Sequence, residues 1–358
     1  MDPTQLPLRE MAGLSGRAGP AETEPFTLGA RVDLPMLVVA VERRESRRGQ
    51  LTTLTLGSSA GRIATSPFWP EDRSRLTGIA PGVVVRVTGE VGHYNGRRQL
   101  NVVSLVALEP GSVERRRLQP SIASALPYWA ALDRWRQAVR GPRLARTVNL
   151  FFDDAAFRVR FETCPASTVG HHAQLGGLLR HTWEVASIGR TIARSCGANP
   201  DLVLAGALLH DIGKLEAYRW DGTFETTEAG ALLGHVTLGM VMLDRRLQAE
   251  PIPPCTEGER LLLQHLVASH HGRQEFGAAM PPMTLEAEIL HFADNASAKS
   301  ASMAAALSQA DNFDGEALVS SRSLWELDKR RAYRGRSDWG GAPVGANGGK
   351  TERPPSRG

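Results

Sequence analysis

The sequence is poor in long apolar segments, in cysteine and in lysine, and the first two shortages each exclude a class of protein. No apolar run approaches the roughly 18 residues that a membrane-spanning helix needs, and the polar N-terminus lacks the apolar core of a signal peptide. We therefore expect a cytoplasmic protein with no membrane partner. Cys164, Cys196 and Cys255 are odd in number and have no paired spacing, which argues against a disulfide framework and a thiolate zinc site.

Positive charge comes almost entirely from arginine, since only four of the 42 basic residues are lysines. Between Arg31 and Arg117 there are 14 arginines and 8 acidic residues, a clear local excess of positive charge. Such a segment is typical of a surface that binds nucleic acid, but an arginine-rich proteome would give the same composition. Charge alone leaves the two interpretations open.

The residue pattern divides the chain into a β-rich part and a helical part. We interpret residues 1–25 and 337–358, which are rich in Gly and Pro, as disordered ends. Residues 26–110 contain about five strand-like segments, and the Asn95-Gly96 pair between two of them is a strong hairpin signal. A small β-barrel of the OB type, which would bind nucleic acid, is the leading interpretation. A barrel or sandwich with only a scaffolding role is the alternative.

From about residue 111 onward the apolar periodicity becomes helical. Residues 111–160 predict a helical connector between domains, and residues 161–336 predict an all-α domain. Thr256 and Glu259 form a capping-box pattern at the start of one helix. Helices are expected near residues 174–196, 200–212, 229–248, 257–271 and 284–308. The predicted fold class is therefore multidomain α+β, a small N-terminal OB-like β-barrel followed by an all-α helical bundle.

Nine of the ten histidines lie in this helical part, which indicates a metal site built from imidazole and carboxylate. His181 lies on an apolar helical stripe and so points towards the core, where a polar group needs a hydrogen bond or a metal. The adjacent His210 and Asp211 follow a second apolar helix, and Asp294 lies on an inward row of the last one. A single buried histidine is more often a satisfied core residue, but four ligand-type residues on three helices favour a metal centre.

A further group of histidines lies on neighbouring helical stripes, namely His235, His270 and His271. If Asp211 bridges, these histidines would bind a second ion about 3.5–4 Å from the first, and two ions would clamp the attacking and leaving oxygens of a phosphodiester. The alternative is a single ion, with these histidines binding only the phosphate of the substrate.

The order of these residues resembles that of the HD superfamily of phosphohydrolases. More closely, several segments resemble the YhaM-type 3′-5′ exoribonucleases, a family that joins an N-terminal OB-type domain to a C-terminal HD domain. Those segments are Phe161–Ala166, His171–Thr182, Ala207–Lys214, Ser269–Gly272 and Glu286–Asn295. The similarity covers roughly residues 28–335.

The resemblance implies an HD-domain helical bundle that removes 5′-mononucleotides from the 3′ end of single-stranded RNA, with single-stranded DNA as a further substrate. It implies a divalent metal, with Mn²⁺ first and Co²⁺, Fe²⁺ or Mg²⁺ as alternatives, and the second group of histidines leads us to expect two ions. Besides Asp211, Lys214 is a catalytic candidate that would stabilise the phosphate or the leaving oxygen, and a surface lysine at a helix end is the alternative. The resemblance alone makes His171 and His172 candidates for lining the cleft or protonating the leaving 3′-oxygen.

The β domain would then hold the strand upstream of the cleaved end, through a basic groove and stacking aromatic side chains. The candidates are Phe68, Trp69, Tyr94, Arg97 and Arg98. For each of them, the alternative to a role in binding nucleic acid is a packing role or a solvent-exposed surface position. The sequence does not indicate an oligomeric state.

Two other functions remain open at this point. An HD-type nucleotidase or cyclic-dinucleotide phosphodiesterase would use the same four ligands. Such nucleotidases generally need only those four, so His235, His270 and His271 favour a phosphodiester substrate. The sequence also lacks a second signature of the Gly-Tyr-Pro kind, which marks many cyclic-dinucleotide enzymes. A nucleic-acid-binding regulatory protein with an inactive HD site belongs to another class. The complete ligand set argues against it.

Overall fold

The computed structural model describes residues 26–47 and 49–335. The predicted disordered ends, residues 1–25 and 337–358, lie outside the described residues. The predicted α+β class is confirmed, because an antiparallel sheet precedes a helical part. No helix in the described ranges is both long and apolar enough to cross a membrane.

Five strands form the N-terminal sheet: β1 (Arg31–Ser46), β2 (Gly49–Ser58), β3 (Gly61–Ala64), β4 (Val84–Tyr94) and β5 (Arg97–Ala107). Neighbouring strands pair antiparallel in the order β3-β2-β1-β4-β5. Just after β3, Thr65 forms a parallel bridge to Leu100 of β5, which brings the two edge strands together. This closure agrees with the predicted OB-type barrel and protects the strand edges.

The hairpin between β4 and β5 forms where the sequence predicts it. Asn95 and Gly96 have φ values of 48° and 74°, and a two-residue turn of this hand requires positive φ at both positions. Asparagine and glycine tolerate that region better than other residues. The barrel interior is filled by apolar side chains from all five strands, among them Met36, Leu54 and Val85.

The helical part contains, within the residues that the structure describes, α1 (Leu126–Gln137), α2 (Pro142–Phe152), α3 (Ala155–Thr163), α4 (Gly177–Cys196), α5 (Pro200–Leu209), α6 (Lys214–Ala217), α7 (Glu228–Gln248), α8 (Glu257–Ser269) and α9 (Leu285–Ser308). A two-stranded hairpin, β6 (Tyr218–Arg219) and β7 (Glu225–Thr226), separates α6 from α7. Each helix expected from periodicity is present. The predicted capping box at Thr256 and Glu259 also forms.

The region predicted to connect the two domains shares the core of the helical bundle. Tyr128 of α1 packs edge-on against Trp183 of α4, with ring centroids 5.5 Å apart. Trp129 and Trp135 lie in the same apolar cluster as α4, α5 and α9. These aromatic side chains bury their surface against the bundle, so α1 to α3 pack as part of it rather than as a spacer. The expected boundary at residue 160 falls within α3.

Two glycines bring α7 close to the end of α5. Gly213 keeps a helical φ of −65°, but a Cβ at this position would lie 2.0 Å from the carbonyl oxygen of His235. Only glycine permits this approach. Gly234 has φ 71° and ψ 157°, and it kinks α7 immediately before His235. The kink is compatible with glycine because glycine adopts positive φ at no steric cost.

Candidate metal centre

Four predicted ligands meet in the interior of the helical bundle. His181 comes from α4, His210 and Asp211 follow α5, and Asp294 comes from α9; the last of these is the most accessible, at 8%. The Nε2 atom of His181 lies 3.0 Å from Oδ1 of Asp294 and 3.4 Å from Oδ2 of Asp211. The Nε2 atom of His210 lies 3.2 Å from the same Oδ2. We call these four residues the first cluster.

Three further histidines lie beside the first cluster and form the second cluster: His235 from α7, and His270 and His271 at the end of α8. The Nε2 atoms of His235 and His271 are 3.0 Å apart. The Oδ1 atom of Asp211 lies 3.4 Å from Nε2 of His235 and 3.7 Å from Nε2 of His270. Asp211 therefore directs one carboxylate oxygen to each cluster.

Hydrogen bonds at the far side of two rings fix which nitrogen faces the centre. The Nδ1 atoms of His210 and His270 lie 2.8 Å and 2.7 Å from the carbonyl oxygens of Ala207 and Val267. Because a carbonyl oxygen can only accept, each Nδ1–H donates, which leaves the Nε2 atom of each ring facing inward. This is the arrangement that proteins use to present histidine to a metal.

The charge states of the ring nitrogens and carboxylates also suit a bound cation. Burial lowers the pKa of His235, His270 and His271 to about 3, so these rings are neutral at pH 7. Burial alone would lower the pKa of His181 as well, but hydrogen bonds to Asp211 and Asp294 outweigh it and raise the pKa to about 9. The carboxylates of Asp211 and Asp294 therefore stabilise a positive charge at the position of His181.

The carboxylates stay ionised although they are buried. Burial alone would raise the pKa of Asp211, but the positive charge of Lys214 and a hydrogen bond from His181 hold it well below its usual range. In Asp294, the hydrogen bond and charge of His181 likewise outweigh burial and lower the pKa. Two anionic carboxylates among imidazole nitrogens are typical ligands of divalent transition metals.

Two unsatisfied atoms give a direct test of whether a metal fits. Oδ1 of Asp211 and Nε2 of His270 are both fully buried and have no hydrogen-bond partner among the described residues. Leaving such atoms unpaired costs free energy. With metal–ligand bonds of about 2.0–2.2 Å, neighbouring ligand atoms should lie about 3.0–3.5 Å apart, which the first cluster matches. The donor set therefore fits divalent cations.

Two residues that support the centre were missed by the sequence interpretation. Ser297 Oγ lies 3.0 Å from Nδ1 of His181 and donates a hydrogen bond to Oε2 of Glu184 at 2.7 Å. Because the hydroxyl proton is used on Glu184, the serine accepts from His181 and leaves Nε2 facing the cluster. Glu184 follows His181 by three residues on α4, and Ser297 follows Asp294 by three on α9. Each supporting residue therefore shares a helix face with a ligand.

Replacing Ser297 by Ala should weaken metal binding more than it weakens the fold. The Nδ1–H of His181 would lose its partner, and loss of such a support typically lowers metal affinity about 10- to 100-fold. We expect activity to need a correspondingly higher Mn²⁺ concentration and to recover largely at saturation. Ser300→Ala, on the exposed side of the same helix, is the control. An unchanged Mn²⁺ midpoint in Ser297→Ala would show that the serine does not orient His181.

The remaining catalytic candidates lie in different environments. His172 is buried and its Nε2 lies 2.9 Å from Oε2 of Glu184, so the ring contacts a residue that supports the centre; that it lines the cleft or protonates the leaving oxygen stays a prediction. His171 is half-buried, with its ring centroid 5.9 Å from that of His181. Lys214 is buried, and its Nζ lies 2.5 Å from Oδ2 of Asp211.

The barrel candidates for binding nucleic acid also separate. Phe68 is only 4% exposed and packs in the barrel core, so its ring is not accessible for stacking with a base. Arg98 donates from Nε to Asp311 at 2.9 Å and from Nη1 to the carbonyl of Phe26 at 3.1 Å, so it joins the hairpin to the segment after α9. Tyr94 and Arg97 are exposed at the hairpin, and Trp69 is half-buried.

The fold and the donor set together define a metal-dependent phosphohydrolase of the HD type, and the HD domain family matches residues 178–299, which contain both clusters. Curated relatives cover most of the chain. The 3′-5′ exoribonuclease YhaM of Bacillus subtilis is 31% identical over 278 residues, which are 76% of this chain and 86% of that protein. The YhaM protein of Bacillus licheniformis is 29% identical over 86% of this chain and 96% of its own length. The chain belongs to the YhaM family of 3′-5′ exoribonucleases, a family of hydrolases, and the resemblance seen in the sequence is confirmed.

Proposed function

We propose that the protein is a metal-dependent 3′-5′ exoribonuclease that hydrolyses single-stranded RNA, and also single-stranded DNA, to 5′-mononucleotides. The observation that carries this proposal is the position of Asp211, whose two oxygens face two separate groups of buried ligand atoms. This arrangement supports two divalent ions, with Mn²⁺ as the first candidate. The relatives that carry the name of 3′-5′ exoribonuclease support the substrate and the polarity.

Divalent ions held in such a centre lower the pKa of water and neutralise charge on phosphate oxygens. The chain's own contribution is to fix the donors: backbone carbonyls and Ser297 lock the inner histidine rings, so no donor needs to reorient when substrate arrives. Lys214 places a fixed positive charge beside Asp211, where it would stabilise negative charge on the phosphate or the leaving oxygen.

His171 is proposed to line the cleft rather than to supply the proton. Burial, which is the largest cause, and the charges of His181 and Lys214 together lower its pKa to about 3. The ring is therefore neutral at pH 7 and carries no extra proton to donate. A neutral imidazole at this position would hydrogen-bond to the substrate.

A groove on the barrel supports the role of strand guide. It has a volume of about 660 Å³, and its lining includes Trp69, Arg43 and Arg73 but no acidic residue. A half-buried indole between exposed arginines suits a single strand, whose bases stack and whose phosphates are anionic. Tyr94 and Arg97, which are exposed at the hairpin and do not line this groove, are separate candidates for contacts with the strand.

The double variant Arg43→Ala/Arg73→Ala should weaken the action on a 30-nucleotide RNA and spare a dinucleotide. Each lost phosphate contact reduces the dependence of log affinity on log salt by about 0.7 for a single strand. We therefore expect KM for the long RNA to rise about 5- to 10-fold with a shallower salt dependence. Arg44→Ala/Arg86→Ala is the matched control, because both arginines pair with barrel carboxylates. Equal loss on both substrates would remove the role of strand guide.

End-labelled RNA tests the proposed function most simply. With Mn²⁺, a 5′-labelled single strand should shorten gradually as a ladder, and a 3′-labelled strand should release labelled 5′-mononucleotide from the first time point. Release of the 5′ label as a mononucleotide would contradict the polarity. Intact RNA alongside hydrolysed mononucleotide or cyclic dinucleotide would favour the other HD-type activities.

A further inference from the structure

A cavity of about 560 Å³ lies beside the metal centre. One side is formed by His171, whose ring lies against that of His181 in the first cluster. Lys299 of α9 forms another side, and the segment after α9 closes the third with Trp325 and Glu326. The volume falls in the range of about 300–1,000 Å³ that small-molecule sites occupy.

Trp325 lines this cavity from a turn whose neighbouring residues are buried. Its neighbours Leu324 and Leu327 are buried and pack with Phe313 against α9, but Trp325 itself is 75% exposed. An exposed aromatic ring at the mouth of a cavity is typical of binding sites.

The backbone after Trp325 is held in an unusual conformation. Asp328 and Lys329 have φ values of 54° and 61°, and residues other than glycine rarely adopt a positive φ. Oδ2 of Asp328 receives a hydrogen bond from Nζ of Lys299 at 2.6 Å, which ties the turn to α9. Backbone in such regions persists only where the surroundings enforce it, and it is concentrated at functional sites.

The charges around the cavity balance. Lys299 and Lys329 are matched by Glu326 and Asp328, and Lys299 is already paired with Asp328. This lining suits an uncharged group better than a phosphate. The 3′-terminal nucleoside of RNA is such a group, because its ribose carries free 2′ and 3′ hydroxyls and its only phosphate lies on the 5′ side.

We propose that this cavity is the subsite for the 3′-terminal nucleoside. The base stacks on Trp325, the ribose hydroxyls donate hydrogen bonds to Glu326, and the 5′-phosphate reaches the metal centre past His171. The inference rests on the proposed exoribonuclease function and adds two consequences. Recognition of the last base is tolerant of sequence, because every base has a stacking face, and a free 3′-hydroxyl end is preferred to a 3′-phosphate end.

The role of Trp325 is tested by comparing substitutions at two exposed aromatic residues of the same segment. Trp325→Ala should raise KM for a short single-stranded RNA about 5- to 100-fold, and Trp325→Phe should restore most of the loss. Tyr333→Ala is the control, since Tyr333 is 60% exposed but does not line the cavity. All three variants should keep the metal content and the thermal stability of the wild type, because neither Trp325 nor Tyr333 belongs to the two clusters. If Trp325→Ala and Tyr333→Ala act alike on RNA, the subsite is disproved.

The chemistry of the RNA end tests Glu326. The wild type should degrade a 3′-hydroxyl strand faster than the same strand with a 3′-phosphate, and Glu326→Gln should reduce that preference because the carboxamide no longer repels the phosphate. An unchanged preference in Glu326→Gln would overturn the assignment of this residue.

A binding measurement separates this inference from the proposed activity. A 5′-fluorescein-labelled (A)₈ strand is titrated with metal-free protein in EDTA, and anisotropy is recorded for the wild type, Trp325→Ala and Tyr333→Ala. Weaker binding of Trp325→Ala alone supports the subsite even if the wild type fails to degrade RNA, a failure that would count against the proposed function only. Equal binding by all three proteins overturns the subsite even if RNA is degraded.

Discussion

Asp211→Asn is expected to lower the rate of RNA hydrolysis by about 10³-fold or more and to remove both ions. The substitution keeps the shape of the side chain but removes the charge that both clusters share. Metal ions supply several kcal/mol of charge stabilisation to phosphoryl transfer, and about 4 kcal/mol corresponds to 10³-fold in rate. Metal content by mass spectrometry and the initial rate at saturating Mn²⁺ measure the two effects. Asp221→Asn, at an exposed position, is the control.

The same substitution also tests the buried pair with Lys214. Without its carboxylate, the lysine charge would be left buried and uncompensated, which typically costs about 3–5 kcal/mol of folding stability. The double variant Asp211→Asn/Lys214→Met should therefore regain much of the lost stability in thermal unfolding but none of the activity. Activity in either variant at high Mn²⁺ would show that Asp211 is not the shared ligand.

His235→Ala is expected to remove one ion and leave the other. His235 belongs only to the second cluster, and the first cluster keeps its four ligands in this variant. We expect metal content to fall from two ions to one and RNA hydrolysis to fall about 10²-fold or more, because one of the two clamps on the phosphodiester is lost. His93→Ala is the control, since this exposed histidine lies on the barrel.

The outcome of His235→Ala separates the alternatives for the second cluster. If the wild type binds a single ion and His235→Ala keeps it, the second cluster only contacts the substrate phosphate. In that case KM should rise with little change in metal content. Loss of both ions in His235→Ala would instead mean that the clusters do not act as separate sites.

The features that were predicted correctly are those that local sequence determines. The turn at Asn95 and Gly96 follows from their tolerance of positive φ, and the capping box at Thr256 follows from side chains three residues apart. Apolar periodicity placed the long helices and showed that His181 and Asp294 point inward. Each of these signals lies within one turn or one helix, so no knowledge of tertiary packing is needed to see it.

The features that sequence interpretation missed depend on residues distant in the chain. Ser297 and Glu184 are ordinary helix residues until α4 and α9 pack together and bring them to 2.7 Å. Phe68 was expected to stack on a base because an aromatic residue after a strand has the same pattern whether it faces the core or solvent. Trp325 had no periodic context, and its place beside His171 arises only from the fold.

We propose that Asp211 lies between two divalent ions. Crystals of the protein grown with Mn²⁺ and measured at the manganese absorption edge test it most directly. We predict two anomalous peaks about 3.5–4 Å apart. One peak should lie among His181, His210 and Asp294, and the other among the histidines of the second cluster. One oxygen of Asp211 should bind each ion. A single peak, or two peaks that Asp211 does not join, would show that Asp211 is not a shared ligand.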